Sequence, residues 1–569
     1  MSLFGALNVG KTSLATQQIG LQVTGSNIAN ANTPGYSRQV VGVTTDSPEQ
    51  VGLGQYVGGA GIATSIERQV SDALQTSLRD STSGQNQSRT LQDFLGRLES
   101  TFGALNTTNL DTKMADFFGS FKNLANNPQD SGLRAVVVQA GASLASNLQG
   151  LRTLVLGVRD DAEVQIGQYA SQANDLASCI ADLNSQITNS ESSGGTANTL
   201  RDQRDQDLSK LSEIMDIRTI NLSNGMVTVL AGNSALVQGV NSRGLKTTLT
   251  PDATGKLSQT NLVFADNGDS VSVAGGKLGG LISVRDTHID GALDTLDSLA
   301  GALIDTVNTI HSQGQGRKGF STLAGATAVN DPTLTLNAPQ TNTGSPTVPV
   351  NGTFNFNLKD LTTGLITTRQ IAVDFSGSPP TSLNSLAASL NGGVIQASVD
   401  ASGHLTIKST SANTTFNFSD DTSGALAAVG VNTFFTGTDA SNIAVNQTVA
   451  QSPDLVATGL DNKTGSNDNA NLLAQGYATV SKLLGSVSLS NYYSQYMSKL
   501  ASTSAGAKDD ATAQTQIHDT LAAQQQSISG VNMDEEAINL TKYQRAFEGS
   551  ARFITVVDQM MQTVLGLIR

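Results

Sequence analysis

The stretch Gly5-Ala6-Leu7-Asn8-Val9-Gly10-Lys11-Thr12 spells the glycine-rich loop that cradles nucleotide phosphates. That chemistry needs a buried strand to deliver the loop and a helix opening at Lys11, so that backbone N–H groups ring the phosphate. Only four residues precede Gly5, too few for such a strand, and Leu7 and Leu14 belong to one helical stripe. The match is read as coincidence, and no nucleotide or other cofactor is expected. Asn532-Met533-Asp534-Glu535-Glu536 gathers three carboxylates that can move protons or hold a metal. The same residues read more simply as a helix start: Asn532 caps, Glu535 takes the third position of a capping box, and the acids oppose the helix dipole. Arg201 to Asp207 alternates charges as a solvated helix face with local ion pairs does. His288, His311, His404 and His518 are dispersed and Cys179 stands alone, so neither zinc ligand spacing nor a Cys/His nucleophile is present. Asp266–Asp269 and Asp420–Gly424 read as turns without the ligand pattern of a calcium loop. No catalytic, cofactor-binding or metal-ligating residue is assigned, and the chain is expected not to be an enzyme.

Composition points the same way. The net charge is −14 with no Lys/Arg-rich run, which disfavours a nucleic-acid groove or an anionic-membrane patch. Charged residues make up 14%, against about 25% in ordinary soluble proteins, so the surface leans on Ser, Thr, Asn and Gln. A single cysteine forbids an intrachain disulfide, which suits the cytosol or a chain exported unfolded. The N-terminus has no basic region followed by an unbroken apolar core, and no stretch is apolar for the length of a membrane span.

The elements follow from hydrophobic period. Residues 3 to 31 read as a helix stopped by Asn30-Ala31-Asn32-Thr33-Pro34-Gly35. From Leu133 to Ile187 apolar residues recur at a mean of 3.6, a long helix whose weak points are Gly141, Gly150 and Gly157. Beyond Ile217 the pattern alternates, with Asn224-Gly225 as a turn. Thr333-Leu334-Thr335-Leu336, Phe354 to Leu358 and Leu405-Thr406-Ile407 mark strands within a Thr/Asn/Ser-rich region. The fold is expected to be mainly α with inserted β domains: an elongated helical bundle formed by N- and C-terminal segments, coiled-coil-like terminal helices and two outer β-rich domains. Residues 1–34 and 533–569 form paired terminal helices that order on assembly. Residues 35–215, 277–318 and 452–532 form the bundle, 216–276 a small β domain, and 319–451 an inserted β domain.

Both ends carry apolar residues seven apart. One series is Leu7, Leu14, Leu21 and Ile28; the other is Met533, Leu540, Phe547, Ile554, Met561 and Ile568. A strict seven-residue repeat lays one helix along another. Two lone helices bury little area, so these seams are expected to gain order when copies associate.

Asn27-Ile28-Ala29-Asn30-Ala31-Asn32-Thr33-Pro34-Gly35-Tyr36-Ser37-Arg38 resembles the signature that follows the first helix in bacterial flagellar axial proteins. Within it Asn27, Asn30, Asn32, Pro34, Gly35 and Tyr36 carry the motif. Ser529 to Glu536, with Asn539-Leu540 and Tyr543-Gln544, is similar to the C-terminal signature of the hook-associated protein 1 family. Thr199 to Asp205 and Gly279-Gly280-Leu281-Ile282 fit that family's middle; residues 320–450 match weakly. The resemblance implies a structural subunit joining the flagellar hook to the filament, exported unfolded by the flagellar type III pathway and located outside the cell. Its implied partners are further copies in a helical array, the hook protein, the second junction protein and an export chaperone on the C-terminal segment. Leu540, Phe547, Ile554 and Met561 are the candidates for chaperone and axial contacts. Another flagellar axial subunit, flagellin-like or the second junction protein, is the alternative, with a surface adhesin behind it.

Overall fold

A computed structural model describes Leu3 to Leu567 except residues 48, 53, 104–108, 193, 253–254, 256 and 339–342. Helix α1 (Leu3–Asn30) leads to strands β1 (Gln39–Thr45), β2 (Glu49–Gly52), β3 (Gln55–Val57) and β4 (Gly61–Arg68). Then come α2 (Asp72–Gly103), α3 (Leu110–Asn126), α4 (Ser131–Glu191) and α5 (Asn198–Ile214). Strands β5 (Ile217–Asn221), β6 (Val227–Ala231), β7 (Ser234–Gln238), β8 (Asn241–Ser242), β9 (Leu245–Pro251) and β10 (Ser258–Phe264) precede α6 (Gly276–Ser283) and α7 (Asp290–Ser312). A second strand-rich region holds β11 (Thr322–Ala324), β12 (Gly352–Asp360), β13 (Ile366–Val373), α8 (Leu383–Leu390), β14 (Ile395–Val399), β15 (Leu405–Ser409) and β16 (Thr414–Ser419). Short helices α9 (Ala425–Ala428), α10 (Gln447–Gln451) and α11 (Asp468–Gln475) lead into the long α12 (Leu489–Ser529) and α13 (Met533–Leu567). The fold is mainly helical with separate small β regions.

Two compact units result, and their boundaries fall inside α2, α4 and α12 and just after α6. The first comprises residues 1–93, 161–284 and 506–569. Its core takes Ile166, Ala173, Ile180 and Ile187 from α4, one per two turns of the predicted stripe. Leu208 and Leu211 of α5 and Val227, Val229, Leu236 and Val237 of the sheet β5-β6-β7-β8 add to it. Fully buried Asn184 ties helix to sheet, donating to Val227 O at 2.8 Å and Gly239 O at 2.7 Å. Residues 39–68 form hairpins: β1 pairs antiparallel with β4 and β2 with β3. The alternating Val41, Val43, Ile62 and Ile66 favour strands over helix.

The second unit comprises residues 94–160 and 285–505. Phe117, Phe121, Phe434 and Phe435 pack on one another and Phe434 meets the His311 ring edge-on, all buried. Its β region has sheets β13-β12-β16 and β11-β15-β14, with α8 packed on the latter. Alternation along β12 and β16 sends Phe354, Phe356, Phe416 and Phe418 into one core. The run Thr333–Leu336 is not a strand: Asp331 accepts from the Thr333 backbone N–H at 2.9 Å and its hydroxyl at 2.6 Å, closing an Asx turn. Helix α4 continues through Gly141, Gly150 and Gly157. At Gly141 a Cβ would meet the Phe434 ring at 2.6 Å, so tertiary contact there offsets the weak helix propensity.

Candidate functional site: the paired termini and their polar knot

Because α1 runs unbroken through Gly5 and Lys11, the apparent phosphate loop is helical and exposed at Lys11. Along it α13 packs antiparallel. Gly10 faces Ile554, Ser13 shares a hydroxyl hydrogen bond of 2.9 Å with Ser550, Gly20 faces Tyr543, and Asn27 meets Glu536. A Cβ on Gly20 would lie 2.6 Å from the Tyr543 ring, and one on Gly10 2.7 Å from Ile554, so glycine sets the close approach of the two backbones. The line nearest α13 is thus Ser13, Gly20 and Asn27, also spaced by seven but one residue before the leucine series. Leu7, Leu14, Leu21 and Ile28 flank it, half-buried. On α13, Leu540, Phe547, Ile554 and Met561 are likewise half-buried, while Val557 is buried and Met533 is exposed. Ile568 lies outside the described residues.

A second apolar line on α13 escaped the seven-residue reading. Phe553, Val556, Met560 and Val564 are all more than 40% exposed, as is Leu565. Their spacing of three or four is visible in the sequence, beside the heptad series. On α1, Phe4 is 75% exposed.

The two signatures meet at the far end of this pair. Asn27, 1% exposed, donates to Glu536 Oε2 at 3.0 Å and to Gln39 O at 2.9 Å. Its own carbonyl accepts from the Tyr36 hydroxyl at 2.8 Å and from the Gln39 backbone N–H at 3.0 Å. Both faces of the amide are therefore used, which fixes its orientation. Burial raises the Tyr36 phenol above its ordinary pKa and keeps it a donor. Arg38 Nε donates to Glu536 Oε1 at 2.9 Å, its other nitrogens reach Glu536 at 2.8 Å and Glu535 at 3.0 Å, and its backbone N–H donates to Ser529 O at 2.9 Å. Asn532 does cap α13, accepting from the Asp534 and Glu535 backbone. The carboxylates of Glu535 and Glu536 lie in the first turn of α13, as the sequence reading has them, and also serve Arg38, because the chain folds Arg38 back over the α13 N-terminus.

The remaining motif residues shape the turn. Asn30 donates to Ser26 O at 3.0 Å and accepts from the Thr33 hydroxyl at 3.2 Å, Asn32 and Pro34 are exposed, and Gly35 adopts φ +80°, open to glycine without strain. Ser37 N–H then meets Asp202 at 3.2 Å, and Arg68 on β4 bridges Asp202 at 2.8 Å and Asp205 at 2.7 Å. The Arg201–Asp207 run is thus a solvated face only in part: Asp207 keeps a local pair with Lys210 at 3.2 Å, but Asp202 and Arg204 are buried, and Arg68 and Glu191 pair with the run from outside the helix. The signal missed was tertiary, since helical spacing alone cannot show which charges a hairpin will cover. Among the described residues no three His, Cys, Asp or Glu side chains converge as a metal site, and no helix is long and apolar enough to cross a membrane.

Comparisons with known proteins fit this arrangement. Residues 95–326 match the family described as flagellar hook-associated protein FlgK helical domain. Residues 7–36 match a flagella basal body rod family, and 523–567 a flagellar basal body rod FlgEFG C-terminal family, covering α1 and α13. Flagellar hook-associated protein 1 of Escherichia coli K12 is 24% identical over 99% of both chains. The protein of the same name from Bacillus subtilis 168 is 24% identical over 99% of this chain and 98% of its own. The flagellar hook junction protein FlgK of Burkholderia pseudomallei shares the fold, with a TM-score of 0.51 and 21% identity over 80% of this chain and all of that one. With matched segments at both termini and through the helical middle, in the order of its full-length relatives, the chain belongs to the flagellar hook-associated protein 1 family.

Proposed function

We propose that this chain is the structural subunit joining the flagellar hook to the filament, and that it works by packing rather than catalysis. The carrying observation is the knot at Asn27 and Glu536, where the N-terminal and C-terminal signatures become one object. It holds α1 and α13 as an antiparallel pair while Phe553, Val556, Met560 and Val564 stay exposed. An exposed apolar stripe on a helix is stabilised by burial against further helices, at about 25 cal/mol per Å². In this reading the terminal pair gains order and burial as copies stack in a helical array, through heterologous contacts that propagate. The hook protein below, the second junction protein above and neighbouring copies are the partners. Before assembly α13, with Leu540, Phe547, Ile554 and Met561 beside that exposed line, is the segment for an export chaperone to cover. Export as an unfolded chain, by the flagellar type III route to the cell exterior, accords with the absence of any disulfide.

Deletion of the gene in its own bacterium tests this. Cells are expected to keep hooks, lack filaments and release flagellin monomer, with filaments restored by the intact gene. Normal filaments in the deletion strain would refute the proposal.

A further inference from the structure

Unit 1 contains an arginine-rich cavity that the assembly role does not use. It encloses about 250 Å³, room for roughly eight water molecules, between α2, α5 and the β5-β6 hairpin. Arg68, Arg79, Arg201 and Arg204 line it. Two of these have carboxylate partners: Arg68 meets Asp202 and Asp205, and Arg201 meets Glu191 at 2.7 Å. The other two do not. Arg79, 9% exposed, donates only to the Thr76 and Thr219 hydroxyls, at 3.3 and 3.1 Å. Arg204, 3% exposed, donates to Asn184 Oδ1 at 3.0 Å and Gly225 O at 2.7 Å, and its Nε has no partner. The two acids on the wall are occupied, Asp205 with Arg68 and Asp72 with Asn221 at 3.2 Å.

Burying a guanidinium without a counter-charge is costly, and a protein normally supplies one. Burial here pushes Arg204 down to about 10 and lowers Arg79, although neighbouring aspartates pull both upward. Two planar forks facing one polar chamber match a tetrahedral dianion, which accepts from both at once. We propose that this cavity binds one small inorganic oxyanion of the phosphate or sulfate class, held by Arg79 and Arg204. Bound there, the anion completes the charge balance between α2, α5 and the β5-β6 hairpin and stabilises unit 1 by mass action.

Equilibrium dialysis of the full chain against labelled inorganic phosphate, with chloride holding ionic strength constant, is the test. Saturable binding of one phosphate per chain is expected, and excess sulfate should displace it. Arg79→Gln should weaken binding at least tenfold, whereas Arg218→Gln, on the same sheet but outside the cavity, should leave it unchanged. Should Arg79→Gln fail to fold by circular dichroism, Arg79→Lys keeps the charge without the fork and is expected to bind at least tenfold more weakly. No saturable binding by the wild-type chain, or wild-type affinity in a folded Arg79 variant, overturns the proposal.

Discussion

Asn27 and Glu536 lie 509 positions apart in the chain and share a buried hydrogen bond of 3.0 Å. Glu536, 2% exposed, also takes two nitrogens of Arg38, so one carboxylate closes the ends of the polypeptide on each other. Apolar seams alone would allow α13 to slide along α1 by a heptad. A buried polar group with every partner supplied does not tolerate such a shift, because misregister leaves charges unpaired.

Removing that carboxylate should therefore cost more than removing a surface acid. Glu536→Ala removes two of Arg38's three carboxylate contacts, leaving it the exposed Glu535, and is expected to destabilise the terminal pair by about 3 kcal/mol. Faster hydrogen exchange of α1 and α13 amides, with the β12–β16 core unchanged, is the readout. Replacing both partners, Arg38→Met with Glu536→Leu, should recover most of the protection.

Gly20→Val separates helix propensity from packing. Valine favours helix over glycine by a few tenths of a kcal/mol, yet its side chain would enter the space of the Tyr543 ring. The expected result is loss of pairing, seen as protease sensitivity of both termini; Gly25→Val, where a Cβ meets nothing within 4 Å, serves as the control.

His311 gives unit 2 a pH dependence. The Asn432 carbonyl, 2.8 Å from Nδ1, can only accept, and the Ala457 N–H, 3.0 Å from Nε2, can only donate, so the pair selects the neutral ring protonated at Nδ1. Burial pushes its pKa from 6.5 down to about 4. The unfolded chain then binds more protons between those values, so the stability His311 lends is present above about pH 6.5 and is lost as pH falls toward 4, on the order of 3 kcal/mol in all. Urea unfolding of the Phe434 environment across that range should show the slope, and His311→Asn should lack it.

How much of this was legible in the sequence depended on whether the deciding contact was local. The helical stripe of α4 and the alternation of Phe354 and Phe356 came directly from period, since each face answers to one core. Thr333–Leu336 misled because an aspartate two residues upstream of Thr333 offered the backbone a turn. At the termini the leucine series was conspicuous, but the nearest line to α13 is built of Ser13, Gly20 and Asn27, which carry no hydrophobic signal. Glu535 and Glu536 are helix-start residues as read, but their second role with Arg38 has no local signal. Pairings across hundreds of residues leave no trace in periodicity.

Substitutions on the exposed α13 line should part folding from assembly. Met560→Asp changes a residue 53% exposed and is expected to leave circular dichroism and urea unfolding within about 0.5 kcal/mol of wild type. Phe547→Asp, at a half-buried position, should loosen the terminal pair modestly while unit 2 stays folded. Both are expected to abolish filament attachment in complemented deletion cells, counted by electron microscopy.

The most direct test of the junction role is immunogold labelling of epitope-tagged chain on isolated hook-filament particles. The expected result is a single narrow band at the distal end of the hook, present on wild-type particles and missing with Met560→Asp. Gold spread along the filament, or none at the hook's end, would contradict it.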